Sequence, residues 1–186
     1  MIARVSAWVD ECLDDADRGG RCYVAHTRTE RERMRKAVRV EQAIEVMPRV
    51  FARAGQWHEL RPAARAWRLM RAYQELHPER VFCGPSAALA YGLSVSHRFL
   101  DTLWVATTRT HHMRSDSTVR SIVVTDDTAV VVQGLRLTSL GRTVGDCLRT
   151  MDFRSGLAIA DSALRTKGLD VKGLANQVEA ACHRMP

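Results

Sequence analysis

Gly19-Gly20 separates two stretches of opposite charge, and no single helix is expected to run through it. Residues 1–17 hold Arg4 against Asp10, Glu11, Asp14, Asp15 and Asp17, a net charge of −4. Residues 18–39 hold Arg18, Arg21, Arg28, Arg31, Arg33, Arg35, Lys36 and Arg39 against Glu30 and Glu32, a net charge of +6. Paired glycines are costly inside a helix and accept left-handed φ at its end, so they mark a stop. Before them, Ile2, Val5, Trp8 or Val9, Cys12 or Leu13, and Ala16 recur at helical spacing and predict an amphipathic helix over 2–17. After them, Thr29-x-x-Glu32 has the form of a capping box, which predicts that a second helix starts there. On that helix Met34, Ala37, Val38 and Glu41 share one face. Arg28, Glu32, Arg35 and Arg39 share the other.

The whole chain has 186 residues and a net charge of +7, with 25 arginines among its 28 cations. Arginine suits phosphate and base edges, but codon bias toward GC also favours it, so its abundance decides nothing. Its distribution does. Residues 49–71 add Arg49, Arg53, Arg61, Arg65, Arg68 and Arg71 against Glu59, whereas from residue 81 onward 12 cations face 9 anions. The positive field belongs to the first part of the chain, as expected of a module that binds a polyanion.

Several classes are set aside. The longest apolar run, Ala87 to Tyr91, has five residues, far short of the roughly 20 that span a bilayer. No membrane partner is expected, and the acidic run near the start replaces the apolar stretch of a signal peptide, so the expected location is the cytoplasm. The cysteines at 12, 22, 83, 147 and 182 form no C-x-x-C pair and read as reduced thiols. His111 and His112 diverge on any regular element, so neither metal nor cofactor is expected. Asp170-Val171-Lys172 is the only Asp-x-Lys, and Asp170 there reads as a helix cap rather than part of a nuclease site. Phosphate-loop, dinucleotide and nucleophile-elbow motifs are missing, and no enzyme is expected.

The rest of the chain gives a coarse order. Ala43 to Met47 and Arg49 to Arg53 read as a hairpin that turns at Met47-Pro48. Arg61 to Leu76 reads as a helix with Pro62 in its first turn and His77-Pro78 at its stop, a connector between two parts. Val81 to Cys83 is a short strand, Gly84-Pro85 a turn, and Ser86 to Tyr91 a compact helix opened by Ser86. Thr102 to Thr107, Thr118 to Thr125 and Thr128 to Gln133 read as strands, with a polar loop at His111 to Ser117, a turn at Asp126-Asp127 and a turn at Gly134 into Leu135-Arg136-Leu137. Thr138 or Ser139 caps a helix to about Arg149. Two further helices follow, at about 154–166 and 170–183, with a stop at Lys167-Gly168. The fold class is α+β: a winged helix-turn-helix-like domain, then a small mixed sheet with a helical C-terminal part. In such a domain the basic helix enters the major groove and the ribbon lies along the backbone. The competing reading is a solvated charged helix beside an unrelated hairpin.

Three segments add a family likeness. Phe82-Cys83-Gly84-Pro85-Ser86-Ala87-Ala88-Leu89-Ala90-Tyr91-Gly92-Leu93, Leu137 through Asp146, and Ala160-Asp161-Ser162-Ala163-Leu164-Arg165 resemble, in order and spacing, the AbiEi-type antitoxins of type IV toxin-antitoxin systems. The resemblance covers about residues 25–180 and is strongest over 80–166. It implies a winged helix-turn-helix domain over 1–60 that binds double-stranded DNA at its own promoter, a connecting helix over 61–78, and an antitoxin domain over 79–186. The last would counteract a nucleotidyltransferase-like toxin functionally rather than through an obligatory complex. Two departures stand out: only eight residues lie between Gly20 and Thr29, and Pro48-Arg49 replaces the family's usual Pro-Gly wing turn.

On this reading Arg35, Lys36 and Arg39 enter the groove while Arg28, Arg31, Arg49 and Arg53 bind phosphates. Ser86, Arg142, Asp146 and Asp161 are candidates for a partner surface, with helix caps and an i,i+4 ion pair as the competing account. The alternative function is a toxin-antagonising interaction module without specific DNA binding. Single-stranded RNA binding would want aromatics among the cations, and only Tyr23 and Phe51 stand between Arg18 and Arg53.

Overall fold

The computed structural model describes residues 2–108, 118–124 and 129–182. The expected loop at His111 to Ser117 and the turn at Asp126-Asp127 lie outside them. The chain is mixed α and β and divides into two compact units, residues 1–78 and 79–186. No helix among the described residues is long and apolar enough to cross a membrane.

The first unit opens with α1 (Ile2–Arg18). Its end is set by Gly20 at φ 59°, where Gly20 N donates to Asp17 O at 3.0 Å and Arg21 N to Ala16 O at 2.9 Å. This is the paired closure of a Schellman motif, and the left-handed residue in it is the glycine. The chain then forms a two-residue strand, β1 (Tyr23–Val24), before α2 (Arg28–Arg39). Between Gly20 and α2 there is therefore a strand and no further helix.

The cap of α2 is Thr27, not Thr29. Glu30 N donates to Thr27 Oγ1 at 3.2 Å, and Glu30 Oε2 accepts from the amides of Thr27 at 3.2 Å and His26 at 2.8 Å. Two amides converge on Glu30, whereas the Glu32 carboxylate is already held by Arg28 Nε at 2.8 Å. The earlier of the two Thr-x-x-Glu pairs thus satisfies more helix-start donors. Glu41 also departs from the expected inward face. The helix has ended at Arg39, and Glu41 sits in a left-handed turn at φ 56°.

β2 (Ala43–Met47) and β3 (Val50–Arg53) form the expected hairpin, with Pro48 and Arg49 at its tip. β3 is central in an antiparallel sheet of order β1-β3-β2; Tyr23 faces Phe51, and Ile44 faces Ala52. The apolar sides of α1, α2 and the sheet close over Val9, Leu13, Ala25, Met34, Ala37, Ala43 and Phe51. A short helix follows, α3 (Ala54–Glu59), which the periodicity does not indicate. Then comes α4 (Pro62–Leu76). It belongs to the first unit, fastened by Arg68 to Asp17 at 2.5 Å, His26 to Glu75 at 2.8 Å and Arg71 to the Gly19 carbonyl at 3.2 Å.

In the second unit Phe82 is a joint rather than a strand. It bridges Val105 on one side and Leu137 on the other. It thereby ties the parallel pair β4 (Leu103–Thr107) and β5 (Val119–Val123) to the antiparallel pair β6 (Val130–Val132) and β7 (Leu135–Leu137). The compact helix is α5 (Gly84–Ala90), whose cap position is Cys83, so the Gly84-Pro85 turn is already helix. Three helices complete the unit: α6 (Leu140–Thr150), capped by Ser139; α7 (Phe153–Lys167), capped by Asp152; and α8 (Val171–Cys182). Asp170 Oδ1 accepts from Gly173 N at 2.7 Å, the cap expected of it. Ala88, Leu93, Val144, Cys147, Ile159, Ala163 and Leu174 form the core. α6 and α8 approach so closely that a Cβ on Gly141 would lie 2.6 Å from the Gln177 carbonyl carbon.

Candidate nucleic-acid interface

α2 is amphipathic in the way its sequence requires. Met34 and Ala37 are buried, and Arg28, Arg35, Lys36 and Arg39 are exposed. At 100° per residue these four fall within one flank of the cylinder, with Glu32 among them. Arg28 is paired with Glu32, and Arg35 Nε stands 3.5 Å from Glu45 on β2 with both side chains partly in solvent. The side chains of Arg31, Lys36 and Arg39 form no ion pair or hydrogen bond among the described residues. Arg33 lies to one side, its guanidinium 5.2 Å from the centre of the Trp8 ring.

The two hairpin cations are placed differently from the sequence expectation. Arg53 turns toward α1, where Asp10, Asp14 and Asp17 recur at i, i+4 and i+7 and so share a face. Its Nη1 is 3.1 Å from Asp10 Oδ1, its Nη2 2.7 Å from Asp14 Oδ1 and its Nε 3.9 Å from Asp17 Oδ2. Burial works against its charge, but the hydrogen bonds to Asp10 and Asp14 outweigh it and raise its pKa. Three carboxylates surround this guanidinium, so it does not stand free toward solvent as the sequence reading expected. The acidic stripe was visible in the sequence; its partner 39 residues on was not.

Arg49 is likewise engaged. Its Nε donates to Ala25 O at 3.0 Å and its Nη2 to His26 O at 3.3 Å, while Ala25 N donates back to Arg49 O at 2.9 Å. The hairpin tip is thereby tied to the residues that lead into α2, and the Arg49 guanidinium too is engaged within the unit. The cations of α4 follow the same pattern: Arg65 donates to the carbonyls of Trp57 at 2.9 Å and His58 at 2.6 Å, and Arg68 and Arg71 hold Asp17 and Gly19. Of the first unit's basic residues, those on the outer side of α2 face solvent together, and Arg18, Arg33, Arg61 and Arg71 are exposed elsewhere in the unit.

In the second unit, three of the four candidate partner-surface residues lie in the interior. Ser86 is 4% exposed and does not open a helix; its Oγ accepts from Trp104 N at 2.9 Å and fixes β4 against α5. Arg142 and Asp146 are 1% and 0% exposed. Arg142 Nε donates to Asp146 Oδ1 at 3.0 Å and Nη2 to the Val123 carbonyl at 3.2 Å, linking α6 to β5. Asp161 alone of the four is exposed. Burial pushes the Cys147 thiol up to about 12 and that of Cys83 well above its ordinary value. Such thiols stay protonated and unreactive at neutral pH. Among the described residues no three His, Cys, Asp or Glu side chains gather as a metal site.

Neither the known family models nor the curated proteins contain a match to this chain.

Proposed function

We propose that the chain is a double-stranded DNA-binding regulator of the AbiEi antitoxin kind, not an enzyme, which represses its own operon and counteracts a nucleotidyltransferase-like toxin. The observation that carries the DNA reading is the sorting of cations in the first unit. Arg49, Arg53, Arg65, Arg68 and Arg71 hold acceptors within the unit, whereas Arg28, Arg35, Lys36 and Arg39 gather on one outward flank of α2; the exposed Arg18 and Arg61 lie off that helix. A 12-residue helix is about 18 Å long, and a major groove about 12 Å wide admits it.

In this reading the first unit is a winged helix in which α1 takes the place of the absent supporting helix and β2 and β3 form the wing. Arg35, Lys36 and Arg39 enter the groove; Arg28 and Arg31 bind phosphates. The exposed contact of Arg35 with Glu45 is of the kind worth about 0–1 kcal/mol, so a duplex can displace it at little cost. A bidentate arginine on guanine would supply about 1–3 kcal/mol of discrimination.

The second reading is a toxin-antagonising module without specific DNA binding. It draws on the second unit, where Phe153 is 81% and Leu157 42% exposed one turn apart on α7. A mobility-shift assay with the DNA upstream of the gene separates the two. The DNA reading expects a complex at low salt whose affinity falls with salt at a log-log slope of about −0.9 per phosphate neutralised. Absence of any complex at low salt, with a neighbouring gene's product co-purifying, selects the second reading.

A further inference from the structure

The second unit contains a cavity of about 300 Å³ whose walls include Arg98, Phe99, Trp104, Arg120, Thr150 and Asp152. Three separate parts of the fold build it: the 3-10 turn His97–Phe99, the parallel pair β4 and β5, and the junction between α6 and α7. Its volume lies at the lower end of small-ligand pockets. None of these residues belongs to the proposed DNA-binding flank.

Trp104 is 8% exposed, and its Nε1–H is buried with no acceptor among the described residues. Indole is a donor only. Opposite Trp104 in the β4–β5 register stands Arg120, exposed, with its guanidinium 5.5 Å from the centre of the indole ring and no acidic partner among the described residues. Arg98 lies 4.7 Å from the Phe99 ring centre and pairs with Asp152. The other oxygen of that carboxylate caps α7 by accepting from Ser155 N at 3.3 Å. Thr150 has given its hydroxyl hydrogen to the Asp146 carbonyl at 2.7 Å. The cavity thus has an unneutralised guanidinium, Arg120, beside aromatic rings, and its one acid is paired with Arg98.

Groups of this kind recognise a flat ring for stacking and an anionic group for the guanidinium. We infer that this cavity binds a small aromatic anion, its ring against Trp104 and Phe99 and its carboxylate or phosphate on Arg120. The platform is rigid. Trp104 N is held by the buried Ser86 hydroxyl, and Trp104 O accepts from Cys83 N at 3.0 Å. The side chain is 8% exposed and clusters with Cys83 and Ile122, so the ring does not depend on the ligand for its place.

The test uses the full chain labelled with nitrogen-15, with the Trp104 indole N–H resonance assigned by its loss in Trp104→Phe. Benzoate and adenosine monophosphate are titrated as ring anions of the two kinds, with benzamide and inorganic phosphate as controls. The inference expects a saturable shift of the Trp104 resonance with at least one ring anion, and which of the two is bound tells carboxylate from phosphate. Benzamide and inorganic phosphate leave it unmoved. Calorimetry with Arg120→Gln, an exposed position that needs no indole assignment, expects affinity weakened by about tenfold or more. Silence toward both ring anions up to about 10 mM, where even millimolar binding is visible, overturns the inference. So does an equal response to either control, or unchanged affinity in Arg120→Gln.

Discussion

Arg53 on β3 donates to Asp14 on α1 at 2.7 Å, and the same guanidinium holds Asp10 at 3.1 Å. The acidic side of the first helix is a receptor for the chain's own arginine. Replacing Arg53 by Ala leaves these carboxylates facing one another without their counter-charge. Because Asp10 and Asp14 are about half in solvent, water screens part of the cost, and the expected loss is about 1–2 kcal/mol of stability. Urea unfolding measures it. The salt slope of DNA binding should not change, and a slope reduced by one unit would return Arg53 to the phosphate contacts.

Lys36 and Arg39 should behave in the opposite way. Both are exposed on α2 and hold no partner among the described residues, so alanine at either position should move stability by no more than about 0.5 kcal/mol. Removing a phosphate ligand shows as about one unit of salt slope, and removing a base-reading side chain as about 1–3 kcal/mol less discrimination at one operator position. Mobility shifts across a salt series and a panel of single-base operator variants separate the two roles.

The pair of Arg142 and Asp146 predicts an asymmetry between single and double substitution. Arg142→Met leaves the buried Asp146 carboxylate with the half-exposed Arg149, 3.4 Å away, as its cation and should cost about 3 kcal/mol, the lower end for a broken buried pair, whereas the double variant with Asp146→Leu should recover most of that loss. Denaturant midpoints of the three chains decide it. If the double variant proves as unstable as the single one, the ion pair specifies the α6–β5 packing beyond its own charge balance.

At Gly141 a methyl group has nowhere to go. The obstacle is the backbone of α8 at Gln177, which cannot rotate aside as a side chain can. Gly141→Ala should therefore lower stability by about 3 kcal/mol, the upper part of the usual range for overpacking, despite alanine's better helix propensity. Thermal unfolding is the measurement, and a stabilised variant would show that α6 and α8 stand further apart.

The cap of α2 predicts a pH dependence. Partial burial favours the neutral form of Glu30, yet hydrogen bonds from the Thr27 and His26 amides and the Thr27 hydroxyl outweigh it and hold the carboxyl below its ordinary value. A depressed carboxyl stabilises the fold above its unfolded pKa of about 4.3 and loses that contribution as pH falls toward the folded value. Thr27→Ala should cost about 1 kcal/mol at neutral pH and flatten this acid limb. Stability curves between neutral and acidic pH test both parts.

What could be read from the sequence was local. The periodicity of α1, the Gly19-Gly20 stop, the hairpin around Pro48 and the caps at Ser139 and Asp170 each depend on residues within one or two turns of each other. The choice of Thr27 over Thr29 was local as well, but two overlapping pairs fit the same pattern, and the amide of His26 decided between them. The fates of Arg49 and Arg53 were not legible, because Ala25 and Asp14 reach them only once the sheet has formed. Ser86 illustrates the same limit: a serine behind a proline reads as a helix start, whereas its hydroxyl serves an amide on β4 that is 18 residues away. The outward flank of α2 was foreseen because an amphipathic helix sorts its own faces.

Arg49 carries a consequence for any attempt to retarget this protein. It holds φ at 71°, a strain that glycine would relieve at once, yet glycine has no guanidinium with which to reach the carbonyls of Ala25 and His26. A designer who relaxes that corner unfastens the root of the neighbouring helix. Loop grafts at this tip should therefore be chosen for an arm that spans the gap, and not for a comfortable bend.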